Sequence, residues 1–286
     1  MSQRIVQGRA AIVMGAAAIA VGLAWAGANV AAQAPQAPPA APAGGRAGGA
    51  PAGQGRGGGA PAAPLTAQAA PAIDLVGNWV SVVNEDWRWR MVTPPRGDYA
   101  SIPINAEGKR VADLWDPARD EAAGEQCRAY GAPGLMRGPT RLHITWLDDS
   151  TLKVESDYGM QTRLFPFRRQ APANAAPSWQ GVSTAQWVIS AGGRGEGRGG
   201  QRFGSMKSVT TRLKPGYLRK NGVPYSAETV VTEYFNLVTE PNGTRWFVVT
   251  TRIHDPKNLV VDYIHSTNFR READDSSWNP APCSLR

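Results

Sequence analysis

The chain has 286 residues, with 31 Lys and Arg against 23 Asp and Glu for a formal net charge of +8, but only two cysteines and three histidines. Every acidic residue lies after residue 73, whereas Arg4, Arg9, Arg46 and Arg56 lie before it; residues 73–286 therefore carry 27 basic and 23 acidic groups, +4 of the total. So small an excess excludes a nucleic-acid footprint as the expected mode of action and leaves at most a mild preference for anionic surfaces or small anions.

Arg4 and Arg9 precede an apolar, Ala-rich run from Ala10 to Ala28 that passes into small residues through Ala34. A positive start, a short apolar stretch and a small-residue exit predict a secretory signal peptide over residues 1–34, with cleavage after Ala28, Ala32 or Ala34. The alternative is an uncleaved membrane anchor, because about 19 apolar residues reach the lower bound for spanning a bilayer. Residues 35–72 are Ala, Pro, Gly and Gln with almost no large apolar side chain to offset ordering entropy. They predict a disordered tether that gives the following domain a peripheral association with the cell envelope.

Residues 73–286 read as one domain. Period-two alternation marks strands at Asn78–Val83, Trp87–Val92, Arg141–Leu147, Thr151–Ser156, Met160–Phe167, Ala185–Ser190, Met206–Leu213, Thr229–Leu237, Arg245–Ile253 and Leu259–Arg271. Turn chemistry separates them: Asp148-Asp149-Ser150, Asn221-Gly222, Pro241-Asn242-Gly243 and His254-Asp255-Pro256. One short helix is expected over Asn105–Trp115, with Asn105 as its cap and Val111, Leu114 and Trp115 facing inward. Many strands, long loops and little helix make an all-β fold, either a sandwich or an antiparallel barrel.

The alternation favours the barrel. Arg141, His143 and Thr145 share one face of their strand and Leu142, Ile144 and Trp146 the other; Gln161 and Arg163 alternate with Thr162 and Leu164, and Glu233 shares a face with Val231 and Phe235. Faces of mixed polarity suit a lumen that joins aromatic walls to a few buried polar groups. Gly77-Asn78-Trp79 opens the first strand, and Arg270-Arg271 stands near the end of the last. A Gly-x-Trp opening with a terminal basic residue resembles lipocalin-like proteins. The resemblance implies an up-and-down barrel whose base is closed by Trp79 packed against Arg270 or Arg271.

A finer resemblance rests on Glu85-Asp-Trp-Arg-Trp-Arg-Met-Val-Thr-Pro-Pro, Trp115-Asp-Pro, Glu125-Gln-Cys-Arg-Ala-Tyr-Gly131, Leu142-His-Ile-Thr-Trp146, Gln161-Thr-Arg163, Pro215-Gly-Tyr-Leu-Arg-Lys-Asn-Gly-Val-Pro-Tyr225 and Trp278-Asn-Pro. Together these are similar to a family of exported bacterial proteins whose activity is uncharacterised, so the likeness implies export and implies no reaction. The Gly192–Arg202 insert and the long tether depart from it.

Cys127 and Cys283 form an even pair in a chain expected in an oxidising compartment, periplasmic or secreted. A disulfide between them closes a loop of roughly 150 residues and contributes about 2–4 kcal/mol; two free thiols are the alternative.

The densest chemical cluster is Glu85-Asp86-Trp87-Arg88-Trp89-Arg90, which on a strand presents an arginine stripe opposite a tryptophan stripe. The first suits a carboxylate or sulfate, the second an apolar, aromatic or sugar surface. Trp87, Arg88, Trp89, Arg90, Tyr99, Arg141, His143, Gln161, Arg163 and Tyr225 are the candidate ligand-binding residues. The segments Pro94–Tyr130 and Lys214–Ser226 are candidate covers of a barrel mouth, with Tyr217 and Tyr225 either meeting a ligand or plugging the opening.

His143, His254 and His265 lack metal-ligand spacing, and no Gly-rich nucleotide loop precedes a helix. Neither metal nor cofactor is expected, apart from a haem-bearing barrel with His265 as axial ligand. The leading expectation is a monomeric exported protein that holds a small apolar or amphipathic ligand. One alternative is a cavity enzyme of isomerase, hydratase or cyclase type, using His143 with Glu85, Asp86 or Glu155; another is a structural envelope protein.

Overall fold

The structure is a computed structural model, and residues 65–168, 170–189 and 204–285 are described. The expected signal peptide, the tether up to residue 64 and the Gly192–Arg202 insert lie outside the described residues. In chain order the elements are β1 (Gly77–Val82), α1 (Trp87–Arg90), α2 (Ala106–Asp113), α3 (Pro117–Ala122), a 3-10 turn (Gln126–Tyr130), α4 (Ala132–Leu135), β2 (Arg141–Asp148), β3 (Thr151–Ser156), β4 (Tyr158–Gly159), β5 (Gln161–Pro166), β6 (Val182–Ile189), β7 (Gly204–Thr211), β8 (Gly216–Arg219), β9 (Val223–Tyr225), β10 (Val230–Thr239), β11 (Arg245–His254), β12 (Tyr263–Glu272) and β13 (Ala281–Pro282). No helix among the described residues is long and apolar enough to cross a membrane.

Nine strands form one antiparallel sheet in the order β5-β3-β2-β1-β12-β11-β10-β7-β6. Because β1 pairs with both β2 and β12, the order runs as an up-and-down meander around a circle. The expected lipocalin-like barrel is therefore present, nearly closed, with a seam between β5 and β6 where no backbone ladder runs. Side chains close that seam. Phe167 stacks on Trp187 at 4.6 Å and on Trp146 at 5.7 Å, and Gln180 Nε2 donates to Gln161 Oε1 at 2.9 Å.

The base explains the Gly-x-Trp opening. Trp79 is fully buried, its Nε1 donates to Leu75 O at 2.9 Å, and the Arg271 guanidinium lies over its ring at 5.3 Å. Gly77 sits at φ 131°, and a Cβ there would fall 2.5 Å from Arg271 Nη2. Both the backbone and the guanidinium that covers Trp79 thus demand glycine. Phe165, Phe235, Phe247 and Phe269 fill the lumen above Trp79 with ring centroids 5.2–5.7 Å apart.

The folded chain starts earlier than Ile73. Ala72 is buried, Gln68 N donates to Asp149 O at 3.1 Å and Trp187 Nε1 donates to Ala67 O at 3.1 Å, so residues 65–72 lie against the barrel base. Small side chains let this backbone approach the sheet, which is why its composition reads as tether.

The other end of the barrel is covered by the 83–140 connection and the β8–β9 hairpin. Ile102, Ile104, Leu218, Val223 and Tyr225 pack on Val231, Ile253 and Tyr263 at the barrel rim. This lid holds four short helices and a 3-10 turn where one helix was expected. The expected helix is α2, capped by Asn105 Oδ1 accepting from Gly108 N at 2.8 Å, but Leu114 is exposed because the chain turns away after Asp113. Cys127 and Cys283 are disulfide-bonded, with Cα atoms 5.1 Å apart, which brings β13 alongside β4 and ties the C-terminal tail to the lid.

Candidate functional site

Aromatic rings fill the base of the lumen. Between its aromatic base and the lid cluster lies a polar layer, and its centre is Arg163 with Glu233. Arg163 Nη1 and Nη2 donate to the two Glu233 oxygens at 2.8 and 2.7 Å, Ser208 Oγ donates to Glu233 at 3.2 Å, and both charged side chains are buried. Alternation predicts Arg163 and Glu233 on shared faces with apolar residues, and the geometry shows why: a bidentate pair on facing strands satisfies charges that would otherwise be stranded in the core. Leu164, its neighbour, points outward and is exposed. Around the pair, the Thr251 and Thr267 hydroxyls, Arg163 Nε and both His265 ring nitrogens are enclosed without hydrogen-bond partners among the described residues. Burial, then the positive charges of Arg137 and Arg90, pushes the His265 imidazole down to about 3, so it is neutral near pH 7.

A cavity of about 470 Å³ lies in the lid, over the barrel rim. Its walls are built from α1, the end of the 83–140 connection, β8 and the first residue of β12. The Trp87–Arg90 segment expected as a strand is one helical turn. Asp86 adopts φ 52°, and Trp89 N and Arg90 N both donate to Asp86 O. The result differs from alternating stripes, since Trp87 and Arg88 face solvent while Trp89 and Arg90 face the protein.

Four cations, Arg90, Arg137, Arg219 and Lys220, line this cavity against one carboxylate, Asp86. Arg137 pairs with Asp86 and donates to Ser266 O at 3.3 Å. Arg219 donates to Ala100 O at 3.0 Å and lies 5.4 Å from the Trp89 ring, and its burial lowers its pKa. Trp89 Nε1 donates to Asp98 Oδ2 at 2.9 Å, which fixes the indole as one wall. Lys220 Nζ lies 5.1 and 5.2 Å from the Tyr130 and Tyr158 rings.

Arg90 differs from the others. Its residue is 8% exposed, its Nε donates to Arg137 O at 2.8 Å and its Nη1 to Glu85 O at 3.5 Å, but its buried Nη2 has no partner among the described residues. Desolvation, with Arg137 adding to it, lowers this guanidinium to about 10, still charged at neutral pH. A buried cationic N–H without an acceptor is costly.

A second cavity, about 580 Å³, lies beside α2, α3 and the β8–β9 hairpin. Its lining balances four cations, Arg110, Arg119, Arg128 and Lys257, with four carboxylates, Asp116, Asp120, Glu125 and Glu228; Arg128 bonds Asp120 at 2.9 Å and Glu125 at 3.2 Å, and Tyr217 donates to Asp120 at 2.8 Å.

Of the ten residues singled out from sequence, Trp89 and Arg90 line the first cavity and Tyr225 the second. Tyr225 is buried against Gly131 and Gly216, acting as a plug of the lid. Trp87 stands exposed beside the first cavity, and Arg88 reaches back to Asp98 at 2.7 Å. Tyr99 packs against the lid cluster and donates to Asp113. Arg141 and His143 lie on the barrel's outer face, Arg141 near Glu272 at 3.3 Å and His143 near Glu155 at 4.0 Å. Glu85 and Asp86 are turned to Arg137 instead. Gln161 donates to Gly159 O beside the disulfide, and Arg163 is held in the lumen pair.

Sequence reasoning missed Arg137, Arg219, Tyr158 and Tyr263. Arg219-Lys220 stands inside a segment read as a mouth cover, and Arg137 is a cation between Leu135-Met136 and Gly138-Pro139, a context that signals a buried charge. The three histidines are apart, His143 outside, His254 with Asp262 at 2.7 Å and His265 inward, and no group of three or more His, Cys, Asp or Glu converges among the described residues. Comparison of the chain with protein-family models, with curated proteins and with solved structures finds no match.

Proposed function

We propose that the protein is an exported binding protein for a small amphipathic ligand with an anionic end, held in the lid cavity instead of in the barrel lumen. The anionic end lies at the cationic lining beside Arg90 and Arg219, and the apolar body lies along Trp89, Ile102, Leu218 and Tyr263. The observation that carries the reading is a cavity whose lining sets four cations and the Trp89, Tyr158 and Tyr263 rings against one carboxylate. A volume of about 470 Å³ falls within the 300–1,000 Å³ range of small-molecule sites. The disulfide and the charge-poor, Ala-rich N-terminus support an address in the periplasm or outside the cell.

The test is fluorescence titration with 1-anilinonaphthalene-8-sulfonate, followed by displacement with a medium-chain fatty acid and with the alcohol of the same length. The acid is expected to displace the probe at least tenfold more effectively than the alcohol. Arg90→Gln, checked for folding by circular dichroism, is expected to erase that preference. Equal displacement by acid and alcohol in the unaltered protein overturns the reading.

A further inference from the structure

The lid cavity is bordered by apolar side chains that stand exposed among the described residues. Trp87 is 63% exposed, Met91 54% and Val92 61% on the α1 side, and Val260 and Val261 are 69% and 63% exposed just before β12. The two groups flank one opening. Met91, Val92, Ile102 and Tyr263 all line the cavity, and Val260 N donates to Pro103 O at 2.8 Å, so the Val260-Val261 turn stands next to Ile102 and two residues before Tyr263. Exposure of five such residues on a monomer is ordinary when they are scattered, and their collection around one cationic opening is what calls for an occupant.

We propose that this rim docks on a lipid bilayer bearing anionic headgroups, and that the cavity exchanges its ligand with that surface. The inference rests on the amphipathic-ligand reading above. Charge decides between a bilayer and a second copy of the chain. A two-fold contact would set the four cations of one cavity against the four of the other, whereas an anionic bilayer meets the cations with headgroups and the rim with acyl chains. Trp87 suits the interface, where an indole keeps its N–H in the headgroup layer while its ring is buried. The expected address, outside the cytosol and beside the envelope, puts such a surface within reach.

The experiment uses the full-length chain and a Trp87→Ser/Val260→Ser/Val261→Ser variant, none of whose three altered positions lines the cavity. Both are sedimented with vesicles of phosphatidylcholine alone and with vesicles containing phosphatidylglycerol. The unaltered chain is expected to co-sediment with the anionic vesicles, with binding weakened by added salt, and the variant to bind at least tenfold more weakly while taking up the soluble fluorescent probe as before. Undiminished vesicle binding by the variant assigns the contact to another part of the chain and overturns the proposal. So does a dimer in sedimentation velocity that the variant abolishes, without vesicle binding by either form. Vesicle binding without probe uptake leaves docking standing and removes the ligand reading; probe uptake without vesicle binding does the reverse.

Discussion

Arg163 and Glu233 show what a charged pair does inside a barrel. Each is costly alone in the core, and the bidentate geometry, with Ser208 as a further donor, makes the pair tolerable. Arg163→Met alone leaves a bare carboxylate and is expected to destabilise by roughly 3–5 kcal/mol in urea unfolding, whereas Arg163→Met/Glu233→Leu is expected to recover most of that loss. A double variant less stable than either single one would show that the pair is itself a net stabiliser. His265 gives a separate prediction. The unfolded chain takes up a proton near pH 6.5 that the folded chain refuses down to about 3. Stability is therefore full above about 6.5 and falls as pH drops through that window, by at most about 1.4 kcal/mol per unit. His265→Asn is expected to flatten the slope, as read from denaturant midpoints at pH 7 and pH 4.5; an unchanged slope would sink the assignment. Arg163 and Glu233 were legible as residues on mixed faces, and His265 only as a candidate axial ligand. That the first two meet was not, because pairing across a lumen depends on register between strands far apart in the chain.

Among elements, the strands were the most legible and α1 the least. β3 was expected at Thr151–Ser156 and lies there, since alternation and its flanking turns agree. Trp-Arg-Trp-Arg alternates as cleanly, but the left-handed Asp86 turns the chain before a ladder can form, and one helical turn results. Period two over four residues does not distinguish a strand from a turn whose side chains happen to divide in two. The lid helices α3 and α4 went unread because each is too short to show periodicity. The disulfide, read from cysteine parity, holds this irregular lid together. Cys127→Ser/Cys283→Ser is expected to lose about 2–4 kcal/mol in denaturant unfolding. It should also raise amide exchange across β13 and β4, whose pairing the bond supports. Exchange that stays unchanged there would mean that Tyr130, whose hydroxyl donates to Ser284 O at 3.0 Å, suffices to hold the tail.

For the whole molecule, alternation foretold a barrel, and Gly77-x-Trp79 with Arg271 foretold how its base is finished. A hollow interior was the companion expectation, and at the base end packing takes up the space. Five large aromatic residues and a charged layer stand in the lumen, and the cavity of about 470 Å³ lies in the lid. The seam carries the remaining consequence. Everywhere else in the sheet each strand is laced to its neighbour by main-chain bonds, but between β5 and β6 the described residues show side-chain rivets, Phe167 against Trp187 and Gln180 to Gln161. Rivets release one at a time where lacing gives way together, so thermal breathing should begin as a lengthwise split. Amides of Gln161–Pro166 are expected to exchange well before those of Arg245–His254, which have a partner strand on either side.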